Sequence, residues 1–177
     1  NVGAQSVADT LQEKVLPGGG KIMLFVGRAD APVTIIEFSD LQCPYCASHA
    51  LNVFPEIKRD YIDTGKVRFT LREFPFDPLA TAAFMLARCK GNDKYYAMVD
   101  LLFAQQKAWT GSDKPTEALL SVVRQAGFTQ ESFETCLKNK AIYDGVNFVK
   151  ERGAKVFGVD AWALLKDKAF FVFAIAS

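Results

Sequence analysis

The chain has 177 residues, of which 50% are hydrophobic and 23% charged, which excludes an intrinsically disordered protein and allows one well-buried core. Its 21 Lys and Arg residues against 20 Asp and Glu residues give a net charge of +1, without the clustered positive charge of a nucleic-acid-binding protein. The longest apolar run covers residues 169–176, whereas a transmembrane helix needs about 20 residues. We therefore expect no nucleic-acid binding and no stable membrane insertion.

The first third of the chain predicts a flexible start followed by two strands. Residues 1–20 are mostly polar or small and end in a Pro-Gly-Gly-Gly run, which favours a stretch that frays or holds a short helix. Residues 21–26 favour a first strand. Residues 31–38 are β-branched and largely apolar, as expected of a central strand covered on both faces.

A long helix is predicted after the central strand, because apolar side chains recur at helical spacing over residues 47–61. Pro55 lies inside this helix, where it removes an N–H group and clashes with the preceding turn, so we expect a kink over residues 50–54. Residues 66–74 alternate polar and apolar side chains and favour a second main strand. Strand, helix and strand together predict a β-α-β unit.

From residue 77 to residue 139 the strand patterns stop and helical patterns take over. Helices are predicted at residues 80–90, 93–106, 116–126 and 130–138. The candidate N-caps are Asp77, Thr116 and Thr129. One more helix at 140–155 and a last strand within 169–176 complete the pattern. The predicted fold is therefore α/β, with an all-helical domain of residues 77–139 inserted into a discontinuous domain of residues 1–76 and 140–177.

The four cysteines carry the clearest chemical pattern. Only Cys43 and Cys46 are closely spaced, whereas a four-thiolate zinc site normally has two close pairs, so we expect no metal site. Cys43 falls at the N-cap of the long helix with Pro44 at the first helical position. N–H groups and the helix dipole stabilise a thiolate there, and stabilising the reduced form makes the disulfide oxidising. This pattern predicts a thioredoxin-like redox motif.

Within this motif we expect Cys43 to be the exposed, attacking sulfur and Cys46 the resolving sulfur that points into the core. Tyr45 is expected to contact substrate and to influence the redox potential. Glu37 is either a buried acid that tunes Cys46 or relays its proton, or an acid at the strand end that reaches solvent. His49, the one histidine, is expected to be a solvated or partly packed helix residue rather than a proton donor.

These residues resemble the DsbA family of thioredoxin-like thiol oxidoreductases. The matching segments are residues 31–40, Cys43-Pro44-Tyr45-Cys46, Arg68-Phe69, residues 72–75, Cys89, Phe133, Cys136-Leu137 and residues 154–159. The resemblance implies a thioredoxin-like fold with an inserted helical domain and a location in the bacterial periplasm. It also implies that Glu37 takes the place of the family's buried acid. Cys89 and Cys136 match a second cysteine pair of this branch, which implies a structural disulfide; the alternative is two buried free thiols.

The resemblance also implies partners. Substrates would be the thiols of unfolded or partly folded secreted proteins, and a membrane quinone reductase of the DsbB type would reoxidise the pair. No dissociable cofactor is needed. No basic segment followed by an apolar stretch begins the chain at Asn1, and we expect any export signal to have been removed.

The sequence departs from the family after Val159. The family places a Thr-Pro pair with a cis-proline there, facing the redox cysteines, whereas the last proline of this chain is Pro115 and residues 161–168 offer no substitute. A truncated or frameshifted reading frame, a divergent terminus and completion by another chain all stay open.

The main prediction is a thiol:disulfide oxidoreductase that introduces disulfides into exported proteins. A reductase or isomerase of the same fold is one alternative, and it would differ in reduction potential. A redox-weak binding or chaperone-like protein without the cis-proline groove is the other.

Overall fold

A computed structural model describes residues 12–16, 20–156 and 172–176 of the chain. The strands are β1 (Gln12–Leu16), β2 (Gly20–Phe25), β3 (Val33–Ser39), β4 (Val67–Glu73) and β5 (Val172–Ala176). β1 and β2 form an antiparallel pair, and the other three form a sheet in the order β4-β3-β5. β3 is central, parallel to β4 and antiparallel to β5. The backbones of Val26 and Phe69 exchange two hydrogen bonds of 2.8 Å, which join the strand pair to β4.

One long helical run, α1 (residues 44–62), connects β3 to β4. It consists of α-helical Pro44–Ser48, π-helical His49–Val53, α-helical Phe54–Ile57 and π-helical Lys58–Ile62. The remaining helices are α2 (Pro78–Cys89), α3 (Tyr95–Ala104), α4 (Gln106–Thr110), α5 (Pro115–Arg124), α6 (Gln130–Leu137) and α7 (Lys140–Val156). A 3-10 turn, Asn92–Lys94, precedes α3. The order β3, α1, β4 with parallel strands confirms the predicted β-α-β unit.

The helices from α2 to α6 share one continuous apolar core with the sheet. Phe84, Leu102, Trp109 and Leu119 are fully buried in it. The run of helices between β4 and α7 confirms the predicted helical insertion in a thioredoxin-like fold. The exact division into domains at residues 77 and 139 stays a prediction.

Three local predictions need correction or comment. The expected flexible stretch or short helix is wrong for Gln12–Leu16, because pairing with β2 satisfies its backbone as a strand. The expected N-cap Thr116 is wrong, since Lys114 is the N-cap and Pro115 fills the first turn of α5. The helix departs from α geometry at His49–Val53, in the stretch where Pro55 predicts a kink, because Pro55 cannot donate the hydrogen bond of a regular α-helix and its ring clashes with the preceding turn.

Other predictions at element ends are confirmed. The Asp77 side chain accepts the Ala80 N–H group, and Thr129 forms a reciprocal capping box with Ser132. The apolar tail contributes a strand, Val172–Ala176, beside the central strand. Among the described residues, no helix has the length and apolar character to cross a bilayer.

Candidate active site

The Cys-Pro-Tyr-Cys segment lies where the central strand β3 gives way to α1. Cys43 is the N-cap, with extended backbone angles of φ −70° and ψ 119°, and Pro44 is the first helical residue. The Cys43 N–H group donates to the Asp40 carbonyl at 3.1 Å, and the Cys43 carbonyl accepts the Ala47 N–H group at 3.1 Å. Proline fits this place because its ring fixes a helical φ and its missing N–H would have no helical partner. The turn thus holds the first cysteine at the amino end of the helix.

Both thiols of this pair are reduced and largely covered. Cys43 is 9% exposed and Cys46 is 5% exposed, whereas Tyr45 between them is 63% exposed. The expectation of an exposed Cys43 is therefore wrong, because the helical insertion packs against the turn. Pro44 and Tyr45 are the residues of the motif that face solvent.

The two thiols differ strongly in acidity. A hydrogen bond from the Cys46 thiol, aided by the backbone N–H groups of Cys46 and Tyr45, lowers the pKa of Cys43 to about 6 even though burial opposes the shift. The same hydrogen bond, together with burial, raises the pKa of Cys46 well above its usual range. At neutral pH the pair therefore holds one thiolate, on Cys43, and one thiol, on Cys46.

Asp40 is a buried acid beside the pair that the sequence analysis passed over. Its carboxylate accepts the N–H groups of Gln42 at 2.8 Å and Phe76 at 3.1 Å, so it ties the cysteine turn to the loop after β4. Burial raises the pKa of Asp40 to about 6, and the negative charges of Asp77 and Cys43 add to this effect. The one sequence signal of such a turn is an aspartate at the end of a strand. Its side chain can accept the N–H group of the residue two positions later.

Glu37 on β3 and His49 in α1 form a second buried group. Glu37 is 3% exposed, so the alternative that its carboxyl group reaches solvent is wrong. His49 is 7% exposed, and its Nδ1 lies 3.3 Å from Oε2 of Glu37. The expected solvated or partly packed His49 is wrong because this residue follows Cys46 by one turn and shares its inward face of the helix. The role of Glu37 in catalysis stays a prediction.

The other two cysteines lie apart from this pair, in the insertion. Cys89 at the end of α2 and Cys136 in α6 form a disulfide with a Cα–Cα distance of 6.1 Å. This disulfide covalently joins two helices through cysteines that lie 47 residues apart in the sequence.

Gln106, the first residue of α4, also contacts the site and was missed by the sequence analysis. Its buried side-chain Nε2 donates to the Leu41 carbonyl at 2.8 Å and to the Cys43 carbonyl at 3.0 Å. A glutamine inside a helical stretch carries no sequence signal for such a contact, since its partners lie more than 60 residues away. The segment that departs from the family's Thr-Pro pair, residues 161–168, lies outside the described residues.

Comparisons with known proteins agree with this geometry. The family model described as Thioredoxin matches residues 21–161. A putative protein-disulfide oxidoreductase of Rickettsia bellii is 33% identical over 120 residues, which are 67% of this chain and 46% of that protein. A probable disulfide bond formation protein D of Bacillus anthracis is 31% identical over 137 residues, 74% of this chain and 63% of that protein. The chain thus matches less than half of the Rickettsia bellii relative's length.

Among solved structures, alpha-DsbA1 of Wolbachia pipientis superposes with a TM-score of 0.75 at 28% identity, covering 90% of this chain and 75% of that one. BdbD of Bacillus subtilis superposes with a TM-score of 0.65 at 20% identity, covering 85% and 80%, which shows a shared fold. The family match over most of the chain agrees with three features of the structure. These are the thioredoxin-like sheet, the helical insertion and the Cys-x-x-Cys segment at the start of α1. The chain belongs to the thioredoxin-like family, among the DsbA-type proteins.

Proposed function

We propose that this chain is a thiol:disulfide oxidoreductase that donates the Cys43–Cys46 disulfide to other protein thiols. The observation that carries the proposal is the contrast in acidity within the pair, with the pKa of Cys43 lowered to about 6 and that of Cys46 raised. A thiolate stabilised in the reduced protein makes the disulfide more oxidising. Such a pair gives up its disulfide readily.

The reaction proceeds by two thiol–disulfide exchanges. A substrate thiolate attacks Cys43 Sγ of the oxidised pair, forms a mixed disulfide, and breaks the Cys43–Cys46 bond; Cys46 Sγ leaves and takes up a proton. A second substrate thiolate then attacks the substrate sulfur of the mixed disulfide, and Cys43 leaves as a thiolate. The substrate loses two electrons, the pair gains them, and the low pKa of Cys43 makes it a good leaving group.

Further residues have proposed supporting roles. Pro44 fixes the start of the helix, and the exposed ring of Tyr45 offers a contact for the substrate chain. Glu37 is a buried acid on β3, the strand that leads into the cysteine turn, and it would accept or return the proton of Cys46. Cys89 and Cys136 would stabilise the helical domain of residues 77–139 and take no part in exchange.

The proposed partners and location extend the likeness to the relatives. The Bacillus anthracis relative is named a disulfide bond formation protein, and the Rickettsia bellii relative a protein-disulfide oxidoreductase. We extend this to unfolded or partly folded exported proteins as substrates, a DsbB-type membrane quinone reductase as reoxidant, and the periplasm as location. The reverse direction, reduction or isomerisation, and a redox-weak binding function are the alternatives that the tests below separate.

The direct test is stoichiometric oxidation of a reduced dithiol peptide by the oxidised protein, followed by mass spectrometry. We expect the parent to oxidise one peptide per pair and Cys43→Ser to oxidise none, because no disulfide can then form at that position. A variant with both Cys89→Ala and Cys136→Ala is the matched control and should still oxidise the peptide. Oxidation by Cys43→Ser at the parent's rate would refute the proposal, and suppression of aggregation by a protein carrying Cys43→Ser and Cys46→Ser would favour the binding alternative.

A further inference from the structure

The contact between Gln106 and the cysteine turn connects the insertion to the reacting sulfur atoms. Gln106 is 7% exposed, and its amide group donates to two carbonyls of one turn, those of Leu41 and Cys43. Leu41 is fully buried. A buried carbonyl without a donor costs free energy comparable to a lost hydrogen bond, so this amide satisfies the Leu41 carbonyl and adds a second donor to the Cys43 carbonyl, which also accepts the Ala47 N–H group.

Gln106 is itself held firmly in place. The Thr110 hydroxyl donates to the Gln106 carbonyl at 2.9 Å, one turn along α4. Trp109 of the same helix is fully buried and donates its indole N–H group to the Leu102 carbonyl at 3.0 Å. The Gln106 amide is therefore anchored by a helix that packs in the core of the insertion.

The Cys43 carbonyl bound by Gln106 also accepts the first helical hydrogen bond, from Ala47. Its position therefore fixes the start of α1 and, with it, the direction of the Tyr45 and Cys46 N–H groups. These N–H groups lie at the amino end of α1, where Cys43 is the N-cap, and they favour the anion of its sulfur. Movement of the carbonyl would weaken this stabilisation.

We propose that Gln106 is a positioning residue for Cys43, through which the helical insertion holds the cysteine turn in the conformation that stabilises the thiolate. This inference rests on the proposed disulfide exchange, since it concerns the reactivity of the same pair. Gln106 touches backbone carbonyls of the turn and acts on the sulfur only through them. The insertion thus contributes to the redox properties of the pair as well as covering it.

The test is Gln106→Met, which keeps the size and flexibility of the side chain and removes both N–H donors. We expect the pKa of Cys43, titrated by thiolate absorbance at 240 nm, to rise by about one unit, a tenfold loss, because a hydrogen bond that supports a charged group contributes about that factor. At a pH above the pKa of Cys43 in both the parent and the variant, the glutathione equilibrium constant should shift about tenfold. This shift corresponds to ~30 mV towards a more reducing pair.

The matched control is Trp109→Phe, which removes a buried hydrogen bond of the same helix without touching the turn. It should lower the thermal midpoint and leave both redox readouts at the parent values. If Gln106→Met does not fold, Gln106→Glu takes its place, since a carboxylate of the same shape faces the two carbonyls without donors above its pKa.

The outcomes separate this inference from the proposed function. No reversible glutathione equilibrium in the parent would refute the function itself and the inference with it. A normal parent together with unchanged readouts in the Gln106 variant would overturn the inference alone. An equal shift in Trp109→Phe would also overturn it, because general loosening of the insertion would then explain the effect.

Discussion

Cys43 and Cys46 lie one helical turn apart, yet the surroundings of their sulfur atoms favour opposite protonation states. The Cys43 sulfur receives the Cys46 thiol and two backbone N–H groups, which lower its pKa to about 6. Because this folded-state pKa lies below the ordinary value of about 8.5, the thiolate stabilises the reduced fold at alkaline pH. This contribution is lost as the pH falls through about 6.

Cys46→Ala tests the largest cause of this shift. Without the thiol donor, the pKa of Cys43 should rise by at least about one unit, since a hydrogen bond to a charged group contributes about 1.5–3 kcal/mol. Thiolate absorbance at 240 nm against pH measures the change, and the Cys89–Cys136 disulfide adds no titrating thiol. An unchanged titration midpoint would show that the helix N–H groups alone stabilise the anion.

Asp40→Asn tests the buried acid beside the pair. Burial raises the pKa of Asp40 to about 6, above the ordinary value of about 3.9, so the folded state binds its proton more tightly than the unfolded state. Its favourable contribution is present below about pH 4 and is lost as the pH rises through about 6. Relative to the variant, the parent should therefore lose about 3 kcal/mol of unfolding free energy between about pH 4 and about pH 7.

Urea unfolding at several pH values measures this difference. Both proteins should carry Cys43→Ser, so that the neighbouring thiol does not titrate in the same range. Parallel pH profiles for the two proteins would contradict the raised pKa of Asp40.

At this scale the sequence analysis found the residues whose position follows from helix geometry. Cys43, Pro44 and Cys46 were predictable because an N-cap cysteine and a first-turn proline follow one strand end. Gln106 was not predictable, because a buried amide can donate to any carbonyl that the fold brings near. His49 was misjudged because a lone helix histidine is usually solvated, whereas its position one turn after the inward-facing Cys46 places it on the buried face of the helix.

At the scale of elements, α1 departs from regular α-helix twice, at His49–Val53 and at Lys58–Ile62. The first π turn directly precedes Phe54 and Pro55, and it lies between the cysteine motif and the proline. Proline inside a helix predicts a disturbance there but does not say whether the chain kinks or widens into a π turn. The second π turn has no proline in its sequence, and nothing in the residue pattern predicted it.

The disulfide between α2 and α6 should be a major contribution to the stability of the insertion. Removing it with Cys89→Ala and Cys136→Ala should lower the free energy of unfolding by roughly 4 kcal/mol, because a 47-residue separation leaves a large loop free in the unfolded chain. Guanidinium unfolding measures the loss.

In this comparison the parent and the variant should both carry serine substitutions of the redox pair, Cys43→Ser and Cys46→Ser, so that only the second disulfide differs. A loss below about 1 kcal/mol would mean that the helices hold each other without the covalent link.

At the scale of the whole molecule, a buried ion pair joins the sheet to the insertion. Glu73 at the end of β4 accepts two hydrogen bonds from Arg88 of α2, of 2.6 and 2.8 Å, and one of 3.0 Å from the Tyr95 hydroxyl of α3. The Glu73 side chain is 2% exposed and that of Arg88 is 17% exposed. This cluster fixes how α2 and α3 sit on the sheet.

Arg88→Met should therefore destabilise the protein by about 3–5 kcal/mol, because it leaves the Glu73 carboxylate buried without its cation. Combining it with Glu73→Leu should recover most of this loss, since no buried charge then remains. Lys140→Met is the control: it removes the exposed pair with Asp144 and should cost less than about 1 kcal/mol. Thermal and urea unfolding measure all three, and an equal loss in the Arg88 single and double variants would contradict a penalty from buried charge.

The overall architecture was largely predictable, because β-branched runs, helical periodicity and the Cys-x-x-Cys position fit one fold class. The strand at Gln12–Leu16 was not, since its conformation depends on pairing with β2 and not on its own residue preferences. The covering of Cys43 was also beyond the sequence, because it depends on how the insertion docks on the turn.

The central claim is that the Cys43–Cys46 pair donates its disulfide, and its reduction potential tests this most directly. The pair would be equilibrated with glutathione buffers, alkylated and analysed by mass, so that Cys89 and Cys136 are scored separately. The thiolate of Cys43 and the thiol of Cys46 predict an oxidising pair, nearer the ~−120 mV of DsbA than the ~−270 mV of thioredoxin. A potential near the thioredoxin value would contradict disulfide donation and assign the chain to reduction.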